Sequence, residues 1–311
     1  MKNKDYWLKR KIERNKRSIK EEEELLQEIY KLLEECYEAT MDNIYKFYGK
    51  FATEEGITIA EAQKLLSPIE LKECANRIKR LVEVAGKIDT STPFGKQRVK
   101  QIEREIRILR GRGRITREQL LNDAINEEWI KTALKMDEEL GKLLEKQYER
   151  AFKEGLEDAG VKTTKIPVNT IQSAILIPKF SYHFSDTIWK NKDKLIAFIN
   201  TELRKGIVQG IDVRKTTEKL QDTMKVQKYQ AKRLVVTETQ VAQVEGALEG
   251  YRKSGVVEKV RIISAGDKKV CGVCEDHDDS IIPLDEAVVG DNISPFHPIC
   301  RCSIVPYFEK E

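Results

Sequence analysis

Four of the six cysteines and two of the three histidines in the chain fall between residues 267 and 306. Cys271 and Cys274 form a C-x-x-C turn, and His297, Cys300 and Cys302 form an H-x-x-C-x-C return. A C-x-x-C turn aims two thiolates at one centre, and tetrahedral zinc accepts sulfur and imidazole ligands. In extended chain the side chains at i and i+2 share a face, so Cys300 and Cys302 can both face the turn. The spacing therefore predicts a zinc site built from Cys271, Cys274, Cys300 and either His297 or Cys302, with His277 a weaker candidate. Pro283, Gly290 and Pro295 let the segment between the two half-sites loop back. Four such donors close the coordination shell, whereas catalytic zinc keeps one position open for water. The expected ion is thus structural, bracing a loop-rich region that cannot build its own core. Two other chemistries use the same residues: a disulfide, or reduced cysteines acting as small core side chains. A cytosolic site of synthesis favours the metal over the disulfide.

A second candidate site is the basic stretch from Lys96 to Arg117. Its arginines, Arg107, Arg110, Arg112, Arg114 and Arg117 among them, are of the type that contacts nucleic-acid phosphates. The opposing reading is an exposed helical hairpin, broken at the Gly-Arg-Gly-Arg of 111–114, whose arginines pair with nearby glutamates. No aromatic residues are interleaved, so base stacking is not expected. Glu238 is the remaining isolated feature, a carboxylate in a helix of apolar and small residues. If buried it needs a partner, and Arg301 and Arg233 are the candidates. Signatures of zinc deaminases, H-E-x-x-H proteases, phosphate loops and dinucleotide folds do not occur. A non-enzymatic protein is therefore expected. The enzymatic alternative is a metal-dependent nuclease or toxin-like enzyme using Asp267, His277 or His297.

These residues must be positioned by a mainly helical chain. Charged residues make up 35% and aromatics 7% of the 311 residues, a composition of long solvated helices. The 56 basic and 52 acidic residues nearly cancel, so a uniformly DNA-coating surface is excluded while local basic patches are not. No run approaches the ~18 apolar residues of a membrane span, and the charged start is not a secretory signal. Apolar spacing predicts one helix over 5–50, one or two over 57–83, a loop over 86–95, and a helix over 116–160 ended by Gly160. The irregular stretch 161–185, with a short helix at 168–175, divides a helical region 1–165 from a C-terminal domain 166–311. There, helices are expected from Ser185 or Asp186 to Gly206, over 212–224 and over 228–254. A strand at 256–263 and another at 303–308 are expected to pair antiparallel as a short β-hairpin, with the cysteine loop between them. The fold class is thus mainly α, followed by a smaller α+β domain with a Cys/His cluster.

The C-terminal pattern resembles the phage Mu F-like minor head proteins, the phage head morphogenesis family. The residues that carry it are Arg233, Thr237 and Glu238, then Tyr251 and Gly255. Asp267, Cys271 and Cys274 follow, then Ala287, Gly290 and Asn292, then His297-Pro298-x-Cys300-Arg301-Cys302 and Pro306. Tyr6-Trp7-x-x-Arg10 is similar to the start of those proteins. The match is specific over roughly 184–306 and loose before it; Ser294-Pro295-Phe296 and Asp278-Asp279-Ser280 depart from the family in loops. The resemblance implies a minor capsid protein of a tailed phage or prophage. Such a protein is made in the host cytoplasm and located in the phage head. It implies as partners the portal protein and other head proteins. Double-stranded DNA is a further expected partner through the 96–117 stretch, and no membrane is expected.

Overall fold

A computed structural model describes residues 4–52, 56–111, 115–265 and 270–309. The chain is mainly helical with a small C-terminal sheet. Its elements are α1 (Lys4–Phe51), α2 (Ile59–Ala62), α3 (Pro68–Gly86), α4 (Pro93–Arg110), α5 (Arg117–Asp158), α6 (Val168–Ile175), α7 (Phe184–Gln209) and α8 (Val213–Ser254). Then come β1 (Lys259–Ile263), α9 (Gly272–Asp276), β2 (Ile281–Pro283) and β3 (Ser303–Tyr307). Two compact units form, one from Met1–Gln27, Glu139–Phe184 and Ala231–Glu311, the other from Glu28–Glu138 and Ser185–Gln230. Each draws on residues before and after position 165, because α1, α5 and α8 contribute to both.

The second of these units is held by apolar burial. Ile29, Leu33, Cys36 and Ile44 recur at helical spacing along α1 and are buried, as are Ile102 of α4, Ile125 and Trp129 of α5 and Trp189 of α7. Several polar groups inside are paired. Trp129 Nε1 donates to Thr40 Oγ1 at 3.1 Å, Arg98 reaches Asp137 at 2.7 Å, and Lys192 reaches Glu105 at 2.9 Å with both side chains 3% exposed. Helix starts follow local chemistry. Ser67 and Glu70 form a reciprocal capping box with Pro68 opening α3, and Thr92 accepts from Gly95 N before Pro93 opens α4. The loop expected to run to Gly95 therefore ends three residues earlier, at Thr92.

The first unit packs differently. Arg14 forms a two-pronged pair with Asp158 at 2.6 and 2.9 Å and also reaches Glu154, so α1 meets α5 through charges. Glu21 pairs with Arg150 and Lys146 farther along. α5 meets α8 through backbone: a Cβ on Gly246 would sit 2.3 Å from Tyr148 O, and one on Gly250 would sit 2.4 Å from Phe152 O. Only glycine permits that approach. The sheet packs on the end of α8, with Val260, Ile262 and Ile304 against Val244, Leu248 and Tyr251. Its other face buries Ile263 and Val305 against Trp7 of α1.

Two expectations need correction. The helices expected over 212–224 and 228–254 are one helix, α8; the intervening residues contain no Gly or Pro and nothing breaks the backbone ladder. The expected hairpin is part of a three-stranded antiparallel sheet of order β2-β1-β3. β1 and β3 pair as expected, with Arg261 opposite Val305. The additional strand β2 comes from within the cysteine loop and places Ile282 opposite Val260. At three residues it is too short to show a period-2 pattern.

Candidate metal centre

The cysteine loop leaves β1, makes the single turn of α9, returns through β2 and ends in β3. Cys271 is the residue preceding α9, and Cys274 lies within it and is buried. The nearby backbone N–H of Cys274 favours the thiolate of Cys271 and holds that thiol below its ordinary pKa. On the return, the Cys302 thiol first and the backbone N–H groups of Cys302 and Phe296 hydrogen-bond Cys300. They hold its pKa down to about 5 against the effect of burial. Burial pushes Cys274 up to about 12. Cys302 is raised chiefly by donating to Cys300. Two sulfurs thus sit where N–H donors favour thiolate, each beside a thiol that keeps its proton.

All five predicted ligands come together. His297 Nε2 is 3.2 Å from Cys271 Sγ and 3.1 Å from Cys274 Sγ, and Cys274 Sγ is 3.6 Å from Cys300 Sγ. Cys302 joins Cys274 and Cys300 in a second close group, so Cys274 is common to both. These Cys/His groups can hold a metal ion. His297 Nδ1 lies 2.9 Å from the Pro298 carbonyl. That contact fixes the proton on Nδ1 and turns the Nε2 lone pair toward the two sulfurs, as in histidine metal ligands. His277 is placed elsewhere: its Nδ1 lies 2.8 Å from Val273 O and its ring packs on Phe296. All six cysteines are free thiols, and Cys36 and Cys74 are buried among core residues away from this cluster.

The return segment is aimed by residues outside the motif. Thr237 Oγ1 on α8 accepts from Ile299 N at 3.1 Å, and Gln240, one turn on, donates to Cys302 O. Ser294 Oγ donates to the same carbonyl at 3.0 Å. Between His297 and Cys300, Ile299 takes φ 61°. A β-branched residue there costs about 1–3 kcal/mol and persists only where neighbouring contacts hold it. Asn292 folds the preceding turn, accepting from Val288 N and donating to Glu286 O. Spacing alone pointed to the ligands but not to Gln240, whose signal is only its place one turn after Thr237.

Glu238 has neither of its proposed partners. Among the described residues no hydrogen bond or ion pair reaches it, and burial pushes its pKa to about 8. The basic stretch divides. Arg107 and Arg110 are exposed near the end of α4. Arg117 is drawn into pairs with Glu61 and Glu70 and lies over the Phe51 ring. Arg112, Arg114 and Asp267 lie outside the described residues.

A helical platform carrying a small sheet and a Cys/His cluster is the class of module described so far. Residues 197–305 match the family model of the phage Mu protein F like proteins. The matched region, which contains the cluster, is therefore similar to the phage Mu protein F like proteins. No curated protein and no solved structure matches the chain. Among the described residues no helix is long and apolar enough to cross a membrane.

Proposed function

We propose that this is a minor capsid protein of a tailed phage or prophage that acts without catalysis in head assembly at the portal vertex. We further propose that its C-terminal module is braced by a structural zinc ion. The carrying observation is the convergence of two close groups that share Cys274, one with Cys271 and His297 and the other with Cys300 and Cys302, inside the family-matched region. Zn–S bonds of about 2.3 Å and Zn–N bonds of about 2.0 Å in a tetrahedron require ligand edges of about 3.5–3.8 Å. Three of the six edges are observed, at 3.1, 3.2 and 3.6 Å, close to that range. His297 is favoured over Cys302 as the fourth ligand because its ring is oriented through Nδ1. Four such donors leave no open position for water, which supports a bracing ion over a nuclease centre.

The first test is elemental analysis of protein purified under reducing conditions. About one zinc per chain, lost in Cys271→Ser and in Cys300→Ser, is expected for the fourfold site. Retention of zinc in both variants removes this reading of the centre. The assembly role is tested by mass spectrometry of purified virions and by co-purification with the portal protein. Absence from both removes that reading. DNA contact, if made through α4, falls to Arg107 and Arg110. Changing both to Gln then lowers the salt slope of DNA binding by about two phosphate contacts.

A further inference from the structure

Beside the metal module, α1 and α8 frame an open pocket of about 230 Å³. α1 lines it with Leu8, Ile12, Asn15, Ile19 and Glu22, a 4-3-4-3 spacing that places one continuous stripe along the helix. α8 lines it with Val236, Gln240 and Gln243, again at spacings of four and three. Neighbouring positions of α1, Trp7, Arg14 and Ser18, face their own partners in this unit. The 8–22 stripe lies beside them and is left open: Ile12 is 40% and Ile19 45% exposed. Two helices presenting such stripes to one groove form the acceptor for a third helix.

The charge of the groove selects its occupant. Lys11, Lys16 and Arg301 line it, against the single carboxylate of Glu22. Glu22 is 8% exposed and turned inward to Ser18 Oγ at 3.1 Å. Lys11 is half-buried near Glu154 and Asp158, which Arg14 already pairs, and among the described residues no hydrogen bond or ion pair reaches its ammonium. A half-buried ammonium with no carboxylate in direct contact gains from one supplied by a ligand. Lys232 and Arg233 continue the α8 stripe, both exposed and both basic. We infer that this groove is a docking site for an acidic amphipathic helix of a partner protein. Its apolar residues would cover Ile12 and Ile19, and one of its carboxylates would pair with Lys11. The inference stands on the groove itself and holds whether or not the partner is a head protein.

The test uses the full chain and a fluorescein-labelled helical peptide of about three heptads, with Leu at a and d and Glu at e and g. Its counterpart carries Lys at e and g. By anisotropy the Glu peptide binds, and the Lys peptide binds at least about tenfold more weakly, or 1.4 kcal/mol. Ile12→Asp with Ile19→Asp abolishes binding, and Lys11→Gln weakens it and flattens its salt dependence. Both isoleucines are exposed, so circular dichroism shows an unchanged fold in the double variant. Equal binding of the two peptides, binding that survives the double variant, or no binding of the Glu peptide to the folded chain overturns the proposal. A self-association, seen by analytical ultracentrifugation and lost in the double variant, assigns the groove to a second copy instead and equally overturns it.

Discussion

Both compact units have an apolar interior, and they differ in what else joins their helices. In the unit of Glu28–Glu138 and Ser185–Gln230, isoleucines and tryptophans fill the interior, and the charges that enter it do so as complete pairs such as Lys192–Glu105. In the other unit α1 meets α5 through Arg14, Glu21, Arg150 and Asp158, and α5 meets α8 through glycines. The C-terminal module there has three buried cysteines in a cluster of their own. An apolar interior tolerates local change by repacking. A charge network, a glycine contact and a ligand shell each depend on a few atoms and fail when one is removed. The contrast teaches that the Cys/His donors form a cluster of their own beside an apolar core rather than inside it.

The sharpest way to break the comparison is to remove the ligand shell. Cys274→Ser takes away the sulfur shared by both close groups. Structural zinc contributes about 10–16 kcal/mol of apparent binding free energy in small domains, so the module is expected to unfold in this variant and in strong chelator. Hydrogen exchange should show lost protection in β1 and β3 while α3, α4 and α7 stay protected. Simultaneous loss everywhere would show that the two units are not energetically separable. Next in size, Trp129→Ala leaves a cavity in the apolar unit and removes the donor to Thr40 Oγ1, costing about 3–5 kcal/mol by denaturant titration. Its effect should be absent from the cysteine module's metal content.

Gly250→Ala drives a methyl into the Phe152 carbonyl, and an overpacked contact of that kind costs about 1–3 kcal/mol. A neutral result in thermal melts would mean that α5 and α8 can separate slightly without loss. The smallest effect is expected from Glu238. Its folded pKa, near 8, is above that of an unfolded glutamate, so the folded state retains a proton that the unfolded state has lost. Stability therefore falls as pH rises from about 4.5 to 8, and the full penalty is present above 8. Glu238→Gln should raise stability by about 1–2 kcal/mol at pH 8.5 and leave it unchanged at pH 4. Equal melting temperatures of the two proteins at both pH values would place this carboxylate in water.

The local chemistry of this chain was legible wherever it is periodic or clustered. Apolar spacing located α1 and α5, a short helix was expected where α6 lies, and the five clustered Cys and His residues stood out in a chain with six cysteines and three histidines. Such signals survive because they follow from helix pitch, turn geometry and ligand valence, which act over a few residues. Three-dimensional packing decided the rest. The pairing of β2 with β1, the glycine crossing of α5 and α8, and the clamping of Cys302 by Gln240 join residues tens of positions apart. So did the capture of Arg117 by Glu61 and Glu70, which removed it from the exposed basic stretch. A contact at long separation imposes no spacing on the chain, so its partners become visible only once the helices have brought them together.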